Sequence, residues 1–301
     1  MKVIELTSVS KEYRGVTALS RLDLSINRGE VLGLFGHNGA GKTTTIKMIL
    51  GMARPTSGTV RVFGEDPVGS KACRLRSQIG FLQENVRFYE NMTGLEVLNY
   101  FARLKAVPIS QARHLFEQLG LSHAAHRRVK TYSKGMCQRL GLAQAMLGEP
   151  KLLLLDEPTV GLDPLAIRDF YSRLMALKAS GCTIILCSHL LSGIEKIIDQ
   201  ALILKQGEAV AAGDLDQLRH EAELPVKIVL YGDDLHLPAS LHIHHNRLEK
   251  GIECVVPQQQ HMWILPELVA LPGVNRVEVN MPSLDDLYAH FNDSGEGNVY
   301  V

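Results

Sequence analysis

An α/β fold, with a parallel sheet beside a phosphate loop, is predicted by three observations. The short apolar run Val31–Phe35 reads as a buried strand and leads into Gly36-His37-Asn38-Gly39-Ala40-Gly41-Lys42-Thr43-Thr44, after which Thr43–Leu50 reads as a helix. Two further continuous apolar runs, Leu152–Leu155 and Thr183–Cys187, have the pattern of strands covered on both faces. Near residues 218–225 the character changes, at Glu221-Ala222-Glu223-Leu224-Pro225, and a second, shorter α/β pattern begins. The expected domains are therefore residues 1–218 and 219–301.

In chain order, residues 3–9 and 22–26 alternate apolar and polar positions, the habit of an antiparallel pair. Tyr13 lies between them, ahead of the phosphate loop, and is a candidate plate for a nucleotide base. After the loop helix, the turn Arg54–Gly58 precedes a strand at 59–63, a short basic helix at 71–77 and a strand at 79–82 that stops at Gln83. Glu84–Met92 is polar and irregular. Thr93 and Glu96 then have capping-box spacing, and residues up to 148 read as mostly helical, with breaks near Pro108, Gly120 and Ser122. This is a helical insertion at about 84–148. Ser133 is the expected N-cap of its last helix. Beyond the strand at 152–155 come the turn Gly161–Pro164, a helix at 165–179, the strand at 183–187, a helix at 190–198 and strands at 200–205 and 208–212. The second domain is expected to hold strands near 226–231, 252–256 and 274–280 and helices near 263–271 and 283–292.

Composition narrows the function. Apolar residues make up 46%, enough for a full core, and Lys+Arg balance Asp+Glu at 32 each. That balance gives no reason to expect nucleic-acid binding. No apolar run reaches membrane-spanning length, and the first residues lack a secretory pattern. A cytoplasmic chain is expected, held at any membrane by another polypeptide. The five cysteines are scattered and fit reduced core thiols.

The chemistry gathers at strand ends. Glycines at 36, 39 and 41 let successive N–H groups face one anion, and the helix N-terminus adds its positive dipole end. Lys42 is the candidate to reach the β- and γ-phosphates, and Thr43 to offer a hydroxyl to Mg²⁺. Asp156 and Glu157 end the run Leu152–Leu155. In open parallel sheets ligands bind outside the carboxyl ends of strands, so this pair and the loop can meet around one nucleotide. Asp156 would hold Mg²⁺ through water, and Glu157 would polarise a water in line with the γ-phosphate.

Taken in this order, the motifs resemble those of the ATP-binding subunits of ABC transporters, over about residues 1–218. Gly36–Thr44 is similar to that family's Walker A motif and Leu152–Glu157 to its Walker B. Tyr13 is similar to the adenine-stacking residue, Gln83 to the Q-loop glutamine, Gly161–Asp163 to the D-loop and His189 to the switch histidine. Tyr132–Met136 is similar to the signature. The resemblance implies an ABC-type ATPase domain: a mixed sheet core, an antiparallel β subdomain and a helical subdomain, with the small C-terminal α/β domain added. It implies ATP and Mg²⁺ as cofactors, Gln83 and His189 beside Glu157 in catalysis, Gln83 also beside Thr43 and Asp156 at Mg²⁺, and a second copy of the chain as partner. Each nucleotide would lie between one protomer's phosphate loop and the other's Ser133, Lys134, Gly135 and Met136, with Asp163 close by. The signature departs from the common LSGGQ: Tyr132 replaces Leu, Lys134 the first Gly and Met136 the Gln. Ser133 and Gly135 remain, and their hydroxyl and N–H at a helix N-terminus are the groups that can cap a phosphate.

The YSKGM form resembles subunits that serve separate membrane partners of the ABC-2 type. Within the family, Val31–Thr44 with its His37, Ser133–Gly148 and the long C-terminal extension resemble the NosF group, the ATPases of the NosDFY systems for copper-site maturation of nitrous oxide reductase. This implies a NosY-like membrane dimer, a periplasmic NosD-like protein acting indirectly, and a place on the cytoplasmic face of the inner membrane. The run Leu241-His242-Ile243-His244-His245, with His236 and His261, invites a metal reading in which His242 and His244 share one strand face. No Cys or Met stands at close ligand spacing, so a polar edge strand or loop is the preferred reading.

Overall fold

Two units divide the chain, Met1–Ala212 and Gly213–Val301. The structure, a computed structural model, describes residues 1–188, 191, 193–238 and 241–293.

In the first unit, β1 (Lys2–Tyr13) and β2 (Val16–Asn27) form an antiparallel hairpin around Arg14-Gly15, both at positive φ, the geometry that suits the twist of a tight hairpin. These strands are longer than the sequence pattern predicts, and Tyr13 closes β1 instead of lying between two strands. The reason is local. Register shifts between Leu6 and Val9 and between Val9 and Lys11 interrupt the pairing, and each irregularity breaks the alternation that the pattern relies on. Next come β3 (Val31–Phe35), buried throughout, α1 (Lys42–Ile49) and β4 (Ser57–Val62). β4 pairs with the free edge of β1, so the order in this three-stranded sheet is β2-β1-β4.

After α2 (Ala72–Arg76) and β5 (Ile79–Leu82), three helices precede the next strand: α3 (Gly94–Leu104), α4 (Ile109–Gln118) and α5 (Lys134–Met146). The Thr93–Glu96 capping box forms. Thr93 Oγ1 accepts the Glu96 N–H at 3.3 Å, and Glu96 Oε2 accepts the Thr93 N–H at 2.7 Å, which satisfies two otherwise orphaned donors. Then follow β6 (Leu152–Asp156), α6 (Pro164–Ala179), β7 (Thr183–Cys187), β8 (Gln200–Lys205) and β9 (Glu208–Gly213). The second sheet runs β5-β6-β7-β3-β8-β9. Its first five strands pair in parallel. The two-residue turn Gln206-Gly207, both at positive φ, brings β9 back as a hairpin. The sheet is therefore mixed, as the family resemblance implies. The helix predicted over 190–198 does not form among its described residues: Gly193–Ile197 run as turns, and Gly193 at φ 86° breaks the right-handed course.

The second unit holds α7 (Leu215–Ala222), β10 (Val226–Gly232), β11 (His244–Leu248), β12 (Gly251–Val256), α8 (His261–Val269), β13 (Val274–Asn280) and α9 (Leu284–Asp293). Its antiparallel sheet runs β11-β12-β10-β13. Ile228, Leu230, Ile252, Cys254, Val256 and Leu268 form a core of its own. Trp263, the sole tryptophan of the chain, stands on α8 with 81% of its surface exposed. β11 is an edge strand exposed at every residue. His242 lies outside it at φ 45°, so His242 and His244 do not share a strand face. Among the described residues no group of three His, Cys, Asp or Glu side chains is placed to hold a metal, and no helix is long and apolar enough to cross a membrane.

Candidate nucleotide site

Parallel pairing puts the carboxyl ends of β3, β5, β6 and β7 on one edge of the sheet, and the candidate residues hang from those ends. The loop between β3 and α1 is held tight by its glycines. A Cβ on Gly36 would stand 2.5 Å from the Leu204 carbonyl oxygen and 2.8 Å from the Ala40 Cβ, and Gly41 has φ 113°. Neither place admits a side chain without strain. The Ala40 N–H donates to the His37 carbonyl at 3.1 Å, the Gly207 N–H to that of Ala40 at 3.1 Å, and Thr45 Oγ1 to that of Gly41 at 3.1 Å. Thr45 is buried and was not singled out by the sequence motif.

Lys42 curls back across the loop. Its Nζ donates to the Gly36 carbonyl at 2.5 Å and to the His37 carbonyl at 3.1 Å, and the residue is only 9% exposed. The His37 ring is engaged with the Asn38 carbonyl at 2.7 Å, and His37, Asn38 and Gly39 are exposed at the loop tip. Thr43 and Thr44 occupy the first turn of α1. The Thr43 side chain hydrogen-bonds to Asp156, which joins the loop to the end of β6.

Asp156 is buried, and its carboxyl pKa is pushed up to about 6. Burial is the largest cause. The charges of Glu157 and Glu84 add to it, while Lys42 and the Thr43 hydrogen bond oppose it. Glu84 belongs to no motif in the sequence because it sits in a polar loop; adjacency of β5 to β6 brings it near. A buried carboxylate, two further acidic side chains and a threonine hydroxyl form a hard oxygen donor set with surplus negative charge, which fits Mg²⁺.

The raised pKa has a measurable sign. In the unfolded chain Asp156 has the ordinary aspartate pKa of 3.8, and in the folded chain it is pushed up to about 6. The folded state therefore holds this proton more tightly, and stability from this group falls as pH rises from about 4 to about 6. The loss is on the order of 3 kcal/mol. Thermal unfolding of the nucleotide-free chain is expected to show this decline, and Asp156→Asn to flatten it; equal pH slopes in the two would refute the assignment.

Glu157 follows at φ 49°, an unusual backbone state for a non-glycine residue, and is buried. Its N–H donates to the Cys187 carbonyl at 3.0 Å, extending the β6–β7 ladder, and its carbonyl accepts the Val160 N–H at 3.3 Å. Its charge reaches Tyr171 on α6, whose pKa is driven up to about 12 by burial and by Glu157. Gln83 begins the loop after β5, exposed, with Nε2 donating to the Asn85 carbonyl at 3.2 Å. His189, two residues past the end of β7, lies outside the described residues.

The signature residues form a second group. Ser133 caps α5, accepting the Met136 N–H on Oγ at 3.2 Å. Lys134 lays its stem against Gly161, and Gly135 lies close to the Gly161 carbonyl. Asp163 caps α6 through the Ala166 N–H at 2.8 Å, with Pro164 in the first turn. Met136 is buried. Gln138, one turn into α5, donates to the carbonyls of Glu157 at 3.3 Å and Pro158 at 3.1 Å. Tyr13 is half-exposed, with the Lys11 ammonium 4.7 Å from its ring centre.

Comparison with known proteins bears on this arrangement. Residues 19–160 match the sequence model of the ABC transporter family. An uncharacterized ABC transporter ATP-binding protein of Nostoc sp. is 43% identical over 229 residues, 72% of this chain and 68% of that protein. The bacitracin transport ATP-binding protein BcrA of Enterococcus faecalis is 40% identical, over 72% of this chain and 70% of its own. An uncharacterized ABC transporter ATP-binding protein of Synechocystis sp. is 32% identical across 95% of this chain and 83% of its own, so its likeness extends into the second unit. A solved ATP-binding subunit of an ABC transporter superposes with a TM-score of 0.68 at 32% identity, over 73% of this chain and 92% of that one.

Proposed function

The chain belongs to the ATP-binding proteins of ABC transporters, and from that membership we propose how its residues divide the work of an ATPase coupled to transport. The observation that carries the proposal is the meeting of Lys42, Thr43, Asp156 and Glu157 at one edge of the sheet. Lys42 exchanges the Gly36 and His37 carbonyls for phosphate oxygens when ATP enters. The Ala40 N–H leaves the His37 carbonyl to join the N–H groups of Gly39, Gly41, Thr43 and Thr44 in holding the phosphates, and Tyr13 stacks on the base. Thr43, Asp156 and Gln83 are the residues that would hold Mg²⁺; when bound, the cation spreads the charge of the β- and γ-phosphates. Glu157 orients a water and accepts its proton as that water attacks the γ-phosphorus, and ADP leaves with the bond electrons. His189 stabilises the charge that develops on the γ-phosphoryl oxygens.

Two protomers close on two nucleotides, with Ser133, Lys134, Gly135, Met136 and Asp163 of each facing the phosphate held by the other. A helix of an ABC-2 type membrane subunit docks near Glu84–Thr93 and receives the movement. Capture of the full chain from detergent-solubilised membranes tests this. An ABC-2 type membrane protein is the expected companion, and enrichment with ribosomes instead would make the chain a non-transport ATPase.

The finer reading is a NosF-type subunit, with a NosY-like membrane dimer, an indirect NosD-like partner and a copper or sulfur species as cargo, on the cytoplasmic face of the inner membrane. It is supported by Val31–Thr44 with its His37, by Ser133–Gly148 and by the second unit. Replacing His242, His244 and His245 together by Ala is expected to leave copper loading of nitrous oxide reductase intact, because these histidines have no soft ligand at close spacing. Glu157→Gln is expected to abolish loading. Loss of loading in the triple variant, with ATPase activity retained, would make the second unit a metal-handling domain. Normal loading in Glu157→Gln would remove the link to the reductase and favour another ABC-2 exporter, a reading that the bacitracin-transport relative also supports.

A further inference from the structure

We propose that Gln138 is a positioning residue that couples the two nucleotide sites of the ATP-bound pair. The inference rests on the sandwich reading above and deepens it. Gln138 is 4% exposed, and its amide nitrogen divides its donation between the carbonyls of Glu157 and Pro158. Those two carbonyls bracket the peptide just after the residue assigned to activate water. Glu157 sits in the left-handed backbone region, a state that persists only where its surroundings hold it. On one side the Cys187 carbonyl accepts the Glu157 N–H, and on the other Gln138 Nε2 donates to the Glu157 carbonyl. The carboxylate is thereby aimed by a strand and by the signature helix together.

The signature helix has a second task. Its N-cap, Ser133, and Gly135 face the phosphate held by the partner, while Glu157 acts on the phosphate held by its own loop. A rigid helix joins Ser133 to Gln138 within about one and a half turns. Engagement of the partner's nucleotide at Ser133 therefore moves the donor that holds Glu157 at its own site. The geometry makes each protomer's catalytic glutamate sensitive to occupancy of the other site. Arg139, its neighbour on α5, donates back to its own helix, to the Gly135 carbonyl at 3.4 Å.

Gln138→Met tests the link, since methionine keeps the length and loses the donor. Gln138 also lines a cavity of about 340 Å³ whose wall is part apolar, with Leu142, Leu162 and Phe170, and part charged, with Asp169 and Arg173, so there is room for the methionine side chain. In the full-length chain, Gln138→Met is expected to leave ATP affinity within about twofold and to lower kcat about tenfold or more, as a misaimed catalytic group does. The Hill coefficient for ATP is expected to fall toward about 1, as two sites lose their coupling. A double-mutant cycle with Ser133→Ala separates coupling from structure. If Gln138 relays the signature, the double variant loses no more kcat than the worse single variant. Multiplicative losses, or a lowered unfolding midpoint with an unchanged Hill coefficient, would make Gln138 a structural contact only. Wild-type kcat and Hill coefficient in Gln138→Met would also overturn the proposal. ATP-dependent dimerisation of Glu157→Gln by sedimentation is the control on the premise: a chain that stays monomeric there brings down the sandwich reading and this coupling with it.

Discussion

Glu157→Gln is expected to bind ATP as the wild-type chain does and to turn it over about 10²–10⁴-fold more slowly, the usual worth of a positioned general base. The amide has nearly the shape of the carboxylate, so the φ of 49°, the N–H donation to Cys187 and the Gln138 contact are all retained. What is lost is proton acceptance and one negative charge. The same change relieves Asp156, whose pKa is held up in part by Glu157. The Asp156 carboxylate of the variant therefore ionises at lower pH, and Mg²⁺-dependent ATP binding persists further into acid than in the wild type. Steady-state hydrolysis together with calorimetric ATP titration measures both effects. Near-normal turnover would remove Glu157 from the role of base.

Lys42→Ala is expected to lower turnover by about 10²–10³-fold, the scale seen when one preorganised donor to developing charge is removed. It is also expected to weaken ATP binding, whereas Glu157→Gln does not. The ammonium lies buried across the loop, already stripped of most of its water, so little reorganisation separates its resting position from a phosphate oxygen. Its loss also removes a charge that lowers the Asp156 pKa. That carboxyl is then pushed further up, and the ATP affinity that survives should shift to higher pH. Lys47→Ala, an exposed lysine in the last turn of the same helix, serves as the comparison and should be close to wild type. Equal turnover in the two variants would refute the assignment.

The two variants depend on features of different legibility. The strand, loop and helix around Lys42 could be read directly, because a fully apolar run, three glycines and a helix start are local signals in consecutive residues. The same holds for β6 and β7, whose burial on both faces leaves no polar position in the run, and for the Thr93 and Ser133 caps. β1 and β2 were underestimated because their bulges shift the alternation. β11 was unreadable for the opposite reason: every residue of it is exposed, and it is a strand only because β12 offers it a hydrogen-bonding edge. Around the candidate site, the parts that escaped are those made by tertiary approach. Glu84 affects Asp156 through the adjacency of two strands, Tyr171 meets the charge of Glu157 from α6, and Gln138 reaches the Glu157 carbonyl 19 residues further along the chain. A glutamine in a helix carries no periodic signal that it will be buried against two carbonyls.

The exposed indole of Trp263 has a practical consequence for spectroscopy. Because it is the chain's only tryptophan and is already largely in water, its emission maximum should sit near that of a solvated indole in the native protein and shift little on denaturation. Emission wavelength is therefore a poor gauge of folding for this chain, and a flat trace in denaturant would not signify resistance to unfolding. The indole is well suited to another use. Aqueous quenchers such as iodide or acrylamide should reach it readily in the isolated chain, so any assembly that covers α8 would register as a drop in the quenching constant, with no label attached.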